Sequence, residues 1–146
     1  MCGSLRLERL DKTIHVGDAI PREAVDGLPT DDNNPTWNSW ARVEGKADGS
    51  REFKDMWQPD KWHVVLIKAE EFTEKHKDTG KHITFRTNGR FIAGIANDYG
   101  EIRILTRKAK QGREASVHHR HPVQVSRNMG KEGFIEFLNR KLGTNF

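Results

Sequence analysis

The chain's one thiol is Cys2, directly followed by Gly3. If the Met1–Cys2 bond is cleaved, Cys2 carries an α-amine and a thiol on adjacent carbons, a pair that no internal cysteine offers. An α-amine with a pKa of about 7.7–8.0 is partly unprotonated near neutrality. It condenses with an aldehyde to an imine, and the thiolate then adds to that imine and closes a five-membered thiazolidine. A small second residue such as cysteine permits removal of the methionine, and Gly3 lets another backbone or a ligand approach closely. The chemistry needs a carboxylate or imidazole to move protons. It also needs a basic surface if the aldehyde belongs to a nucleic acid. The opposing reading of Cys2 is an inert thiol, and its position alone does not choose between the two.

Imidazoles are supplied by HHRHP, in which His118, His119 and His121 are grouped. As zinc ligands they fit poorly. On a strand, positions 119 and 121 share a face while 118 points away, and no second cysteine completes a set. No metal and no cofactor are therefore expected. A neutral imidazole with a pKa of about 6.5 suits proton shuttling instead.

Residues 103–120 hold six Arg or Lys against one Glu, within a chain of formal charge +4. Arg107, Lys108, Lys110 and Arg113 are the expected phosphate-contact strip, with affinity falling steeply in salt; a solvated basic loop is the alternative. Trp37 and Trp40 flank Asn38 after an Asn-rich loop. Exposed, they would stack on bases or wedge a duplex junction; folded inward, they would plug the sheet. Trp57 and Trp62 are expected in the core.

The elements that must position these groups read as follows. LRLERL (5–10) suits a first strand, IPREAVDGL (20–28) a short helix from Pro21 to Gly27, and SREFKDMW (50–57) a short helix capped by Ser50. Four strand-like runs follow, at 62–69, 81–87, 90–97 and 101–108. NG at 88–89 and DYG at 98–100 mark the turns between the last three. HPVQVS (121–126) suits a later strand. KEGFIEFLNRKLG carries Phe134, Ile135, Leu138 and Leu142 at helical spacing, with Gly143 as a stop. The expected fold is α+β: a mainly antiparallel sheet or barrel-like core with short helices, in one domain spanning 1–146. The chain shows no apolar run of membrane-spanning length and no signal-peptide core. A monomer in a reducing, cytoplasmic compartment is the expectation.

Four blocks of the sequence resemble the SOS-response-associated peptidase (SRAP) family, in family order and at compatible spacing. They are Met1-Cys2-Gly3; WARVEGKADGSREFKDMW (40–57); VVLIKAEEFTEKHKDTGKHITF (64–85); and ILTRKAKQGREASVHHRHPVQV (104–125). The resemblance implies capture of abasic sites, mainly in single-stranded DNA, as a thiazolidine cross-link, together with autopeptidase release of the N-terminal cysteine. By motif position Cys2 would be the nucleophile, Glu74 the catalytic carboxylate and His118 the catalytic imidazole. Arg42 and Glu44 fall on the second block's Arg and Glu, with Arg42 expected to hold a phosphate beside the lesion. Thr106 ends the fourth block's strand and, with Asn38, is expected among the DNA contacts.

This chain departs from the pattern at several positions. Trp40 stands where the family has Asn, with Asn38 two residues away, and Ser4 stands where it usually has Arg. Glu70-Glu71 replaces Asp-Gly, and Lys75 replaces Trp. The implied partner is single-stranded or junction DNA bearing abasic sites. The alternatives are a non-catalytic DNA- or protein-binding module on the same fold, and a cysteine peptidase acting on other proteins.

Overall fold

The computed structural model describes residues 2–29, 33–43, 61–142 and 146. The expected helix at 50–57, with Ser50, Phe53 and Trp57, lies outside the described residues, as does Glu44. Eleven strands are described: β1 (Cys2–Leu7), β2 (Lys12–His15), β3 (Val25–Asp26), β4 (Thr36–Arg42), β5 (Trp62–Ile67), β6 (Glu71–Lys75), β7 (His82–Arg86), β8 (Phe91–Asn97), β9 (Glu101–Lys108), β10 (Arg120–Pro122) and β11 (Gln124–Val125). Two α-helices are described, α1 (Arg113–Val117) and α2 (Gly130–Leu142), with 3₁₀ turns at Glu8–Leu10 and Arg22–Ala24. The fold is α+β and mostly antiparallel. Its strands form two sheets, one ordered β2-β1-β6-β7 and the other β10-β9-β8-β5-β3, with β4 and β11 attached to β9 and β8. The β4–β9 pairing is parallel.

The layering follows from side-chain parity. On β5, Val65 and Ile67 face the first sheet while Val64 and Leu66 face α2, and β8 divides Ile92 and Ala96 from Ala93 and Ile95 in the same way. The larger sheet is thus sandwiched, and its central strands read as continuous apolar runs. One core, with Leu5, Leu7, Phe72 and Phe85 from the small sheet, fills the space between the sheets. The other, with Phe134 and Leu138 of α2, lies on the far side.

Several boundaries differ from the sequence reading, each for a physical reason. The 20–28 segment is a 3₁₀ turn at Arg22–Ala24 leading into β3, which pairs with β5. The run 121–126 is split at Val123. Its N–H donates to Leu105 O on β9, and its own carbonyl accepts from Ala93 N on β8, so this one residue bridges two strands. Trp62 packs, half-buried, against the second core as expected. Trp37 lies at 0% exposure in the first core, which removes it from any DNA-facing surface. A β-bulge between Trp37 and Ser39 breaks the strand's alternation there.

Candidate active site

The start of β1 is held by β6. Cys2 pairs with Glu74 and Ser4 pairs with Thr73, so Gly3 is the extra residue of a β-bulge. A side chain at position 3 would put its Cβ 3.3 Å from Thr73 Oγ1 and 3.5 Å from His82 Nδ1. Glycine therefore lets the bulge sit under those two groups. The Ser4 and Thr73 hydroxyls hydrogen-bond at 2.7 Å, pinning the next residue pair.

Glu74 follows from strand parity. Phe72 packs into the core with Phe85 (ring centroids 5.4 Å apart), and Glu74, two residues on, falls on the same inward face. It is fully buried. Burial raises its carboxyl to a pKa of about 7, with the positive charge of the amino terminus working in the opposite direction. A carboxyl at that value exchanges protons in either direction near neutrality.

His118 follows α1. Its N–H donates to Glu114 O (3.0 Å), capping the helix. Its ring is half-buried, and Nδ1 accepts the N–H of Arg120 at 3.1 Å, which fixes the proton of the neutral ring on Nε2. Burial lowers its pKa, and the amino-terminal charge, His119 and Lys77 lower it further. The segment is tied to the β6–β7 loop by Lys77 N–H donating to Val117 O at 2.7 Å. Thus β1's start, the end of β6 and the 117–118 segment meet at one end of the molecule.

His118 also lines a cleft of about 660 Å³, together with Trp40, Arg42, Lys108 and His119. Parallel pairing sets Trp40 opposite Ile104 and Arg42 opposite Thr106. Arg42 and Lys108 are exposed, while Trp40 is half-buried. The Trp40 indole nitrogen is buried without a hydrogen-bond partner among the described residues. Thr106 borders the cleft but is itself buried; its hydroxyl donates to Ala41 O (3.4 Å) and accepts from the Arg120 guanidinium, which also holds Thr106 O at 2.6 Å. Thr106 therefore serves as an anchor for Arg120 and not as a phosphate contact.

The rest of the expected contact strip divides. Arg107 folds back onto Glu114 (2.9 Å) and is largely withdrawn from solvent. Arg113 donates to Thr84 O and stacks on Phe85, its guanidinium carbon 4.5 Å from the ring centroid. Lys110 remains exposed. Asn38 is exposed, donating to Glu101 Oε2 at 2.8 Å.

The three histidines diverge: His118 lines the cleft, His119 is exposed, and His121 is buried edge-on between Phe72 and Phe85, both centroids 5.0 Å away. Burial drives the His121 pKa down to about 4 despite Glu114 nearby. Among the described residues no group of three His, Cys, Asp or Glu stands where it could hold a metal.

Sequence reasoning missed Ser4, Thr73, His82 and Arg120. Arg120 stands inside HHRHP and carried a signal in its position two residues after His118. The other three depend on cross-strand register, for which local sequence gives none. The chain matches no protein-family model and no curated protein.

Proposed function

We propose that this protein captures abasic sites in single-stranded DNA through the amine and thiol of Cys2, once the Met1–Cys2 bond has been hydrolysed by the site itself or by an aminopeptidase. The observation that carries the reading is the register of β1 on β6, which sets Cys2 opposite a fully buried Glu74 whose pKa is about 7. The four-block resemblance to the SRAP family supports the same residues in the same roles.

The chemistry balances with the loss of one water. His118, neutral at pH 7 because its pKa is lowered, accepts a proton from the Cys2 ammonium. The freed amine attacks the open-chain aldehyde of the lesion and gives a carbinolamine. Glu74, protonated in part near pH 7, donates to the departing hydroxyl, and the nitrogen lone pair forms the protonated imine as water leaves. The thiol then gives its proton to the Glu74 carboxylate, restoring the acid, and the sulfur bonds to the imine carbon as the C=N π pair returns to nitrogen, closing the ring. Arg42 and Lys108 in the cleft hold phosphates on either side of the lesion.

A second reading, non-covalent DNA binding on the same surface, is favoured by Trp40. Its indole occupies the cleft wall at the position where the family pattern has a small amide.

Incubation with an abasic single strand, followed by a denaturing gel and intact mass, separates the two. Covalent capture gives a band at the mass of protein lacking Met1 plus oligonucleotide minus one water, absent in Cys2→Ser. Salt-sensitive binding with no such band leaves the second reading and removes the first.

A further inference from the structure

Away from Cys2, at the far end of the β6–β7 hairpin, lies a cavity of about 220 Å³ bordered by Lys68, Arg86, Arg90 and Arg127. It opens beside the Glu71–Arg86 pair, three residues along β6 from Glu74, which is roughly 10 Å at strand rise. From this cavity we infer a second binding site, one that takes a phosphate group. The inference does not depend on the thiol chemistry.

The cavity is smaller than the roughly 300–1,000 Å³ of sites for whole small molecules, and its size suits a single oxyanion with a few waters. Four cations face two carboxylates, Glu8 and Glu70. One Glu70 oxygen is already engaged, accepting the Glu8 N–H at 2.9 Å.

The arginine that would bind is held ready. Arg127 Nε donates to Gly89 O at 2.8 Å, and its guanidinium carbon lies 5.8 Å from the Phe91 ring centroid. Among the described residues its two terminal nitrogens make no hydrogen bond, which leaves the geometry that grips a phosphate through two parallel N–H donors. Arg90 and Lys68 are exposed and have no carboxylate partner among the described residues.

The segments carrying Lys68 and Arg90 are stitched together. Thr87, fully buried, donates its hydroxyl to Ala69 O at 2.7 Å and its N–H to Glu70 O at 3.0 Å. The turn itself is tight: Asn88 and Gly89 have φ of 54° and 84°, and Arg90 N donates to Thr87 O at 3.1 Å. Arg127, held by Gly89 O and the Phe91 ring, loses less side-chain freedom on binding than an unheld arginine.

The test is an amide NMR titration of the intact chain with three probes at constant ionic strength: inorganic phosphate, thymidine 5′-monophosphate and an undamaged oligothymidylate, none of which carries an aldehyde. The expected result is saturable shifts at the Asn88, Gly89 and Arg90 amides and the Arg127 Nε–H. Affinity should fall about tenfold in Arg90→Ala, the loss of one charge-assisted contact. Saturation by phosphate and nucleotide alone assigns a free phosphate ligand; saturation by the oligonucleotide assigns a strand phosphate. Arg127→Ala also removes the stacking on Phe91, so the deciding variant is Arg90→Ala, whose side chain has no carboxylate to lose. Failure of all three probes to saturate, or unchanged affinity in Arg90→Ala, overturns the site.

Discussion

Cys2 and Glu74 are direct partners across the antiparallel β1–β6 pairing, although 71 intervening residues separate them in the chain. Backbone register, and not a side-chain contact, gives that relationship. It therefore survives substitution at either position, and each side chain can be tested without moving the other.

Glu74→Gln is the sharpest such test. The carboxyl is raised from 4.5 to about 7 by burial, so the native state holds its proton more tightly than the unfolded chain does. The Glu74 contribution to stability is then full below pH 4.5 and is lost as pH rises through 7, by up to roughly 3 kcal/mol. Glu74→Gln should abolish this decline, leaving the protein more stable than wild type at pH 8 in urea melts, while the cross-linking rate drops at least tenfold, or about 1.4 kcal/mol in barrier.

His121 governs the opposite limb. Its pKa is pushed down to about 4 by burial. The unfolded chain therefore takes up a proton near pH 6.5 that the native state refuses, and stability falls from pH 6.5 towards 4. His121→Phe keeps an aromatic ring between Phe72 and Phe85 and should flatten that acid limb in thermal melts at pH 4–7.

The two neighbouring tryptophans should separate cleanly. Trp37 is fully buried in the core, and Trp37→Ala should cost about 3–5 kcal/mol of stability. Trp40→Ala, in the half-buried cleft wall, should cost far less stability and instead change single-strand affinity, read by fluorescence anisotropy.

Arg42→Ala should weaken binding to single strands of any sequence and reduce the slope of log affinity against log salt by about 0.7, the value of one lost phosphate contact. Arg107→Ala should leave the slope unchanged and lower stability, since that guanidinium is committed to Glu114.

At Gly3, the Cβ of Gly3→Ala would stand 3.3 Å from Thr73 Oγ1, and the longer reach of Gly3→Val would press on His82. Thermal stability should therefore fall in the order glycine, alanine, valine, with the cross-linking rate falling in step.

Much of this fold was legible where apolar alternation and turn chemistry agreed. β9 runs Glu101–Lys108 as read, and α2 begins one residue before its expected start. The Asn88-Gly89 turn joins β7 to β8 because both residues adopt positive φ. β6 escaped the pattern because its second inward position is Glu74, which hides the alternation that Phe72 begins. β4 escaped it because the bulge at Trp37–Ser39 shifts the period. Within the candidate site, Cys2, Glu74 and His118 were singled out through the family resemblance, and the structure brings the segments that carry them together. The inward turn of Trp37, the sequestration of Arg107 and the anchoring role of Thr106 were not, because each depends on partners distant in sequence.

The hydrogen bond from Lys77 N–H to Val117 O has a consequence for inheritance. It joins the carboxyl-bearing hairpin to the imidazole-bearing segment through main-chain atoms alone. Change at the exposed Lys77 leaves the tether intact, since of the encoded side chains only proline there removes its donor, whereas Val117 is also held by its side chain in the first core. The spacing between Glu74 and His118 is thereby shielded from most changes at position 77.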